Sequence, residues 1–499
     1  MQDLFDSVPE SMIQLYKEAA KATKSASRVF AFSHIDADGI SALAIVIKAL
    51  EREEKKFEWM NIHQINSETI LEIKSHILEY RPDLVIFSDF GTGQIGLIRR
   101  HILNLEGVNH IIILDHHLPQ EESPNDTEVN KNIKLIEINP CQHDINGSVE
   151  LSGAGTAFLY AMSLSSENID QTELAIVGAT GDLQDYYGKG FTGLNAIISE
   201  IGEEYDYLHV TRDLTFFGIN TRPLPYLLQY ATDPYLPGLT GDEAACYGFF
   251  EELGIEMKEN DEWRTWVNLE STEKQIVIQK LIQYVFEVYN DPKIAKGLVG
   301  DVIILPNRPE KTEMRSAKEF STLLNACGRN RKPEVGVKIC LGDPEAISQG
   351  RYLLQQHRAN LAMALRRLET DGFQTMEGLY LVRDPETPDT IIGIVIGMAQ
   401  GSRIIPIDKP VVGVSTQTHN DSPLVKLSGR ANKSLVKRGI NLKETFVSVS
   451  DELNEKYGTL IAEAGGHPMA AGAFIDRDYV DEFLKQSSMQ MSSILKGTG

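Results

Sequence analysis

Three short apolar runs, each stopping on a histidine or an aspartate, constrain this chain more than any other feature. Residues 28–33 (RVFAFS) read as a buried strand and lead straight into His34-Ile-Asp36-Ala-Asp38-Gly39. Residues 83–88 (DLVIFS) lead into Asp89, and His110–Leu114 leads into Asp115-His116-His117. Residues 57–65 and 134–138 are further strand candidates, and 39–50 and 67–79 read as helices. Strands alternating with helices predict an α/β unit, a parallel sheet with helices on both faces. Ligands of open parallel sheets bind beyond the carboxyl ends of the strands. Three strands therefore deliver acids and imidazoles to one edge, and Asp182 adds a carboxylate after the apolar stretch 174–180 (LAIVGAT).

These donors are oxygen and imidazole without thiolate, a set that suits Mn²⁺, Mg²⁺ or Fe²⁺ and less often Zn²⁺. An aspartate after a strand is commonly no more than a helix N-cap or a loop acid. Four such clusters in one unit are poorly explained that way. Glycines at 39, 91 and 93 fit tight turns beside such a site. Cys141, Cys246, Cys327 and Cys340 form no C-x-x-C pair, which fits a reducing cytosol and argues against a thiolate metal site.

At 499 residues the chain has material for more than one core. Its longest strongly apolar run, 390–399, is far too short to span a bilayer. The start, MQDLFDSVPE, has no apolar signal segment, so a cytoplasmic protein without a membrane partner is expected. The net charge of −23 is unevenly spread. Residues 1–200 hold 30 acids and 15 bases, 201–300 hold 17 and 8, and 301–499 hold 24 and 25. An acidic front with a locally basic back can separate metal chemistry from polyanion binding. Residues 426–443 hold Lys426, Arg430, Lys433, Lys437, Arg438 and Lys443 with no acid. Residues 351–367 hold Arg351, Arg358, Arg366, Arg367 and His357, again with no acid. Such runs are usually solvated faces. Here they accompany a glycine-rich segment, Gly465-Gly466-His467, whose backbone N–H groups can approach a phosphate closely. In the middle, Pro223, Pro225, Pro234 and Pro237 predict an irregular connection over 221–238, followed by helices near 241–254 and 272–289.

HIDADG, the Asp89 strand end, Asp115-His116-His117 and Asp182 together resemble the four motifs of the DHH phosphoesterase superfamily. Residues 464–472 (AGGHPMAAG) resemble the glycine-rich signature of the DHH-associated C-terminal domain. Residues 316–329 (SAKEFSTLLNACGR) and 427–430 (LSGR) resemble other parts of that domain. The likeness covers roughly 25–200 and 300–495 and is weak between them. Within the superfamily the chain resembles archaeal RecJ-like nucleases, including the GINS-associated nuclease. Bacterial RecJ typically carries Asp where this chain has His34, and a histidine there is closer to the manganese pyrophosphatases and oligonucleotide phosphodiesterases.

The resemblance implies a DHH catalytic, metal-binding domain over 1–205, a helical linker or insertion over 206–298, and a smaller α/β DHH-associated domain over 299–499. It implies two Mn²⁺ ions, with Mg²⁺ as the substitute. His34 and Asp36 would bind one, Asp38, His116 and Asp182 the other, and Asp89 would bridge them. His117 would face the substrate phosphate and Asp115 would orient the histidine pair. Ser428, Arg430, Lys433, Gly465, Gly466 and His467 would hold nucleic acid, with Arg430 or His467 on a 5′-phosphate.

The implied activity is 5′-to-3′ exonuclease action on single-stranded DNA in replication or repair, the strand threading between a cutting lobe and a basic lobe. The insertion would dock a replication partner such as GINS. The alternatives are a 3′-to-5′ RNA or oligonucleotide exonuclease, a pyrophosphatase or cyclic-dinucleotide phosphodiesterase, and a replication-helicase scaffold that binds GINS. The basic runs count against a pyrophosphatase, since so small a substrate needs no strand-binding path. The intact ligand set counts against a scaffold.

Overall fold

The computed structural model describes residues 2–120, 133–185, 189–231, 236–289, 292–416 and 424–497. The chain divides into two compact units, Met1–Leu354 and Gln355–Gly499. In the first, β1 (Arg28–His34), β2 (Lys56–Ile62), β3 (Leu84–Ser88), β4 (His110–Leu114) and β5 (Lys134–Ile138) form one sheet. Its order is β2-β1-β3-β4-β5 and every neighbouring pair is parallel. Successive side chains of a strand point to opposite faces, so each central strand serves two cores. Val29, Ala31, Ile86 and Ile112 pack with the helices Ala37–Arg52, Gly153–Leu164 and Thr172–Gly181. Phe30, Phe32, Val85, Phe87, Ile111 and Ile113 pack with the helices Thr69–Tyr80 and Ile95–His101. Continuous apolar strands are what burial on both faces requires.

β6 (His209–Leu214) pairs antiparallel with β9 (Val299–Ile304), so the segment between them leaves and returns through neighbouring strands. That segment holds the helices Leu224–Gln229, Glu243–Glu252 and Ser271–Tyr289 and the hairpin β7 (Lys258–Glu259) and β8 (Glu262–Trp263). It has its own core around Phe249, Phe250, Trp266, Leu281 and Val285. The connection expected to be irregular over 221–238 contains the helix Leu224–Gln229. Pro225 stands in its first turn, where an N–H has no intrahelical partner to lose. Residues 232–235 lie outside the described residues.

The compact second unit does not begin at 299. The helices Ala317–Arg329 and Pro333–Cys340 bury Phe320, Leu323, Leu324, Val337 and Ile339 in the same core as Ile40 and Leu43 of the first sheet. Residues 316–329, expected in the C-terminal domain, therefore pack in the first unit. The second unit begins inside the helix Pro344–Asp371. Its sheet has the order β10 (Gln374–Thr375), β11 (Tyr380–Arg383), β12 (Val411–Ser415), β13 (Leu424–Arg430), β15 (Ala470–Asp476), β14 (Ala462–His467). Only β11 and β12 are parallel neighbours. The helices Leu442–Tyr457 and Val480–Gly497 cover one face through Val412, Val425 and Leu427. The helix Ile392–Gly401 packs on the other through Val411. No described helix is long and apolar enough to cross a membrane.

Candidate metal centre and nucleic-acid face

His34 ends β1, Asp89 follows β3, and Asp115, His116 and His117 follow β4, so three adjacent parallel strands place them at one sheet edge. Asp36 caps the helix Ala37–Arg52, accepting from the Gly39 N–H at 3.0 Å, and Asp38 lies in its first turn. Asp182 caps the carboxyl end of the helix Thr172–Gly181. Three groups of donor atoms result, each within 4.8 Å: His34, Asp36 and Asp89; Asp38, His116 and Asp182; Asp89, His116 and His117. Asp89 turns one oxygen to each side. Its Oδ2 lies 3.6 Å from His34 Nδ1 and its Oδ1 3.1 Å from His116 Nε2. His34 Nδ1 is 2.8 Å from Asp36 Oδ2, and His116 Nε2 is 3.3 Å from Asp182 Oδ2 and 3.6 Å from Asp38 Oδ2.

Backbone contacts hold these side chains. Asp89 has φ 61°, a left-handed conformation that Asp and Asn tolerate better than most residues. Its N–H donates to Leu114 O at 2.8 Å, tying the end of β3 to β4. The helix Gly153–Leu164 starts against Asp38, with Gly153 N–H donating to Oδ2 at 2.7 Å and Ala154 N–H to Oδ1 at 2.9 Å. Glycine is required at that start, because a Cβ on residue 153 would lie 2.5 Å from Asp89 Oδ1. His116 Nδ1 donates to Gly147 O at 2.7 Å, which leaves Nε2 for the carboxylates. Gln184 Nε2 donates to the same carbonyl at 2.9 Å, and Asn195 Nδ2 donates to Gln184 Oε1 at 2.6 Å. Asp115 stands apart from the donor groups. Its Oδ1 lies 2.8 Å from His117 Nδ1 and accepts from the His116 N–H at 2.7 Å, while Oδ2 accepts from the Thr92 N–H at 2.9 Å.

The electrostatics are those of a cation site. Burial, then the charges of Asp89 and Asp182, push the Asp38 carboxyl well above its usual pKa. Burial followed by Asp36 and Asp89 raises Asp182 to about 7. Burial disfavours an imidazolium at His34 and His116, yet the surrounding carboxylates outweigh it and hold both pKa values well above the usual one. Asp36 is held below the carboxylate range by His34 in spite of burial, and Asp115 by His117. His34 Nδ1, His116 Nε2 and both Asp89 oxygens are buried without a hydrogen bond of acceptable geometry. Such atoms cost free energy unless something else pairs with them. Oxygen and imidazole donors at this spacing fit divalent cations. Asp38 and Asp89 seal the back of the group, and the His117 side chain, 39% exposed, stands at its open side.

Several supporting residues escaped the sequence reading. Ser152 before a glycine-rich run is an N-cap pattern that could have marked the helix touching Asp38. Gln184 and Asn195 carry no local signal. Asn325 Oδ1 accepts from the Ala37 N–H at 3.0 Å, and a Cβ on Gly328 would lie 1.9 Å from Ile35 O. The helix Ala317–Arg329 thus presses on the HIDADG loop itself.

In the second unit, Lys426, Ser428 and Arg430 share one face of β13 and Val425, Leu427 and Gly429 the other; Lys426 and Arg430 are half-buried and Ser428 is buried. Directly opposed residues of antiparallel strands share a face. Register therefore sets Gly413, Ser428, Gly472 and Gly465 in a row across four strands, with Arg430, Ala470 and His467 in the next row. Lys426 Nζ lies 4.1 Å from the centre of the Phe474 ring, and the Arg430 guanidinium lies where a Cβ on Gly393 would be 2.7 Å away. Gly466, within β14, has φ 131°, and a Cβ there would meet Ala470 O at 2.5 Å, so glycine is required at this point of the strand. Ser428, Arg430, Gly465 and His467 are thus brought to one face. Lys433 is not, since it opens the separate short helix Lys433–Lys437. The second basic run is partly neutralised: Arg351 pairs with Glu313 at 2.9 Å and Arg367 with Asp384 at 2.9 Å.

The family model for the DHH family N-terminal domain matches residues 28–180, and that for the DHH-CID domain matches 216–299, the segment between β6 and β9. MJ0831, an uncharacterized protein of Methanocaldococcus jannaschii, is 31% identical over 483 residues, which are 95% of this chain and 98% of MJ0831. The chain belongs to the DHH phosphoesterase family. Its RecJ-like architecture is equally plain. CDC45 from Entamoeba histolytica superposes on this DHH protein with a TM-score of 0.61 at 14% identity, covering 97% of this chain and 99% of CDC45. RecJ in complex with Mn²⁺ from Thermus thermophilus superposes with a TM-score of 0.57 at 17% identity. That match covers 98% of this chain, which spans only 56% of the Thermus RecJ. A further exonuclease RecJ bound to manganese gives 0.52 at 16% identity over 96% of this chain and 94% of its own. At these identities the likeness is one of fold.

Proposed function

We propose that this DHH protein is a metal-dependent phosphodiesterase that degrades single-stranded DNA from the 5′ end. The observation that carries the proposal is Asp89, whose two buried oxygens lack hydrogen bonds and turn to different donor groups. Two divalent cations, Mn²⁺ or Mg²⁺, bound there supply Lewis acidity at the phosphoryl oxygens and lower the pKa of the attacking water. His34 and Asp36 serve one position, Asp38, His116 and Asp182 the other, and Asp89 both. Asp115 orients His117 through Nδ1 and, against the opposing effects of burial and His116, raises its pKa. In its imidazolium form, which the Asp115 carboxylate favours, His117 would donate through Nε2 to a phosphate oxygen.

Strand binding falls to the face around Arg430. The helix Ile392–Gly401 covers Gly413 and Ser428, so the open part of this face is the side of Gly472 and Gly465, where Arg430 can fork onto phosphate oxygens and His467 stands two strands away in the same row. Either is suited to a terminal 5′-phosphate. Lys433 adds an exposed cation nearby in sequence. Such contacts read the backbone, so little base preference is expected. A replication partner such as GINS is assigned to the insertion, and replacing 216–299 should abolish its co-purification.

The test uses end-labelled single-stranded DNA and RNA with Mn²⁺, Mg²⁺ or chelator, followed over time. Metal-dependent shortening at the 5′ label of DNA supports the proposal. Release of mononucleotides from the 3′ end first, or preference for RNA, overturns the polarity or the substrate. Absence of hydrolysis in a protein that binds Mn²⁺ favours the scaffold reading, which the likeness to CDC45 over nearly all of both chains keeps in view.

A further inference from the structure

Tyr230, Tyr226, Trp263 and Tyr247 run ring to ring across the insertion, with centroid separations of 6.1, 6.2 and 5.9 Å. They come from the helix Leu224–Gln229 and its C-cap, from β8 and from the helix Glu243–Glu252. The core of the insertion is filled by other rings, among them Trp266, Phe249 and Phe250. Tyr230 is 54% exposed and Trp263 36%. A contiguous exposed aromatic patch marks an interaction surface, and Tyr and Trp are the residues that carry most binding energy there.

Cations already lie on this row. Lys258 Nζ is 4.5 Å from the centre of the Trp263 ring, and the Arg222 guanidinium is 5.4 Å from that of Tyr230. Acids border it. The Tyr226 hydroxyl donates to Glu243 at 3.4 Å, and Glu259 and Glu262 stand opposite each other on the hairpin that carries Trp263. Residues 241–270 hold nine acids and two bases. Aromatic rows can also stack the bases of a single strand. Here a strand would bring its phosphates against the acids, whereas a basic peptide gains from rings and rim alike.

We propose that Tyr226, Tyr230, Tyr247 and Trp263 form a docking face for an arginine-rich segment of a partner protein. A planar guanidinium stacks on such rings better than an ammonium. The proposal rests on the reading of the insertion as a docking module and on no step of hydrolysis.

The experiment measures anisotropy of a labelled peptide of alternating arginine and glycine with the full chain in metal-free buffer, beside lysine–glycine and glutamate–glycine peptides and oligodeoxythymidylate. Trp263→Ala with Tyr230→Ala removes exposed rings, so unchanged melting should show an intact fold. This pair should weaken the arginine peptide about tenfold or more, the cation–π contribution of two desolvated contacts. Glu243→Gln with Glu262→Gln should weaken it and flatten its salt dependence. Glu72→Gln with Glu79→Gln makes the same charge change on the helix Thr69–Tyr80 and should alter neither. Metal-dependent hydrolysis should be unchanged in every variant. Failure of the arginine peptide to bind, or equal binding to the ring-deleted variant, overturns the proposal, as does oligodeoxythymidylate binding that the ring-deleted variant loses. Loss of GINS co-purification on replacing 216–299 with no arginine-peptide binding would leave the docking module standing and remove this face as its means.

Discussion

Asp38, Asp89 and His116 lie buried where a parallel sheet ends, whereas Ser428, Arg430 and His467 lie across the face of a largely antiparallel one. At the first place, side chains from three strands and two helix ends converge, and backbone N–H groups or carbonyls hold several of them. At the second, Gly472 and Gly465 stand beside Arg430 and His467, and the helix Ile392–Gly401 covers Gly413 and Ser428. The contrast matches the ligand proposed for each place. A divalent ion takes several oxygen and nitrogen donors at roughly 2.0–2.6 Å, so its cage must be preformed and like charges must be kept close. A phosphate chain takes one or two forked contacts and needs width and access.

The sharpest break between the two regions is expected from Asp89→Asn. Asn tolerates the φ of 61°, so the fold should persist and the metal-free protein should melt no lower than wild type. Hydrolysis of a minimal phosphodiester should fall by about a thousandfold, several kcal/mol of lost charge stabilisation, while strand binding stays. Full turnover in the folded variant would remove Asp89 from the chemistry.

Proton competition provides the next contrast. Burial and nearby carboxylates push Asp182 up to about 7, and carboxylates hold His34 and His116 well above the usual imidazole value, so protons compete with a metal at all three. Ligands bind a metal in their deprotonated form, so Mn²⁺ affinity by calorimetry should rise with pH and fall by about tenfold per pH unit below 7 for each proton displaced. Affinity that is flat over this range would separate Asp182 and both histidines from the metal.

Gln184→Ala tests whether His116 depends on its hydrogen-bonded support. Mn²⁺ affinity should drop about 10- to 100-fold with binding of single-stranded DNA unchanged. Equal affinity would make the hydrogen bond to Gly147 O incidental.

The smallest effects sort the cations of the second unit. Arg430→Ala should weaken single-stranded DNA binding and reduce its salt slope by about 0.7 for each phosphate that the guanidinium had neutralised. Lys433→Ala, off the glycine row, should do less. Arg367→Ala should leave strand binding alone and change stability by about 1 kcal/mol or less, because its partner is Asp384. If Lys433 or Arg367 outweighs Arg430, the strand follows the basic runs and not the sheet face.

Local pattern and chain-distant contact divide this protein cleanly. The strands ending at His34, Ser88 and Leu114 and the acids after them are legible from sequence alone, because apolar runs and strand ends are local and a parallel sheet sends its strand ends to one edge. The alternation of Lys426, Ser428 and Arg430 on one face is equally implicit in a strand's period of two. Tertiary structure decided the rest. It placed the helix Ala317–Arg329 on the HIDADG loop and not with the C-terminal sheet, since an amphipathic helix shows that it has an apolar face but not which core receives it. It linked Asn195, Gln184 and Gly147 to His116, residues 31 to 79 positions away from it whose hydrogen bonds leave no periodic trace. It also divided the base run over 426–443 between a strand face and a helix, because a count of charges carries no direction.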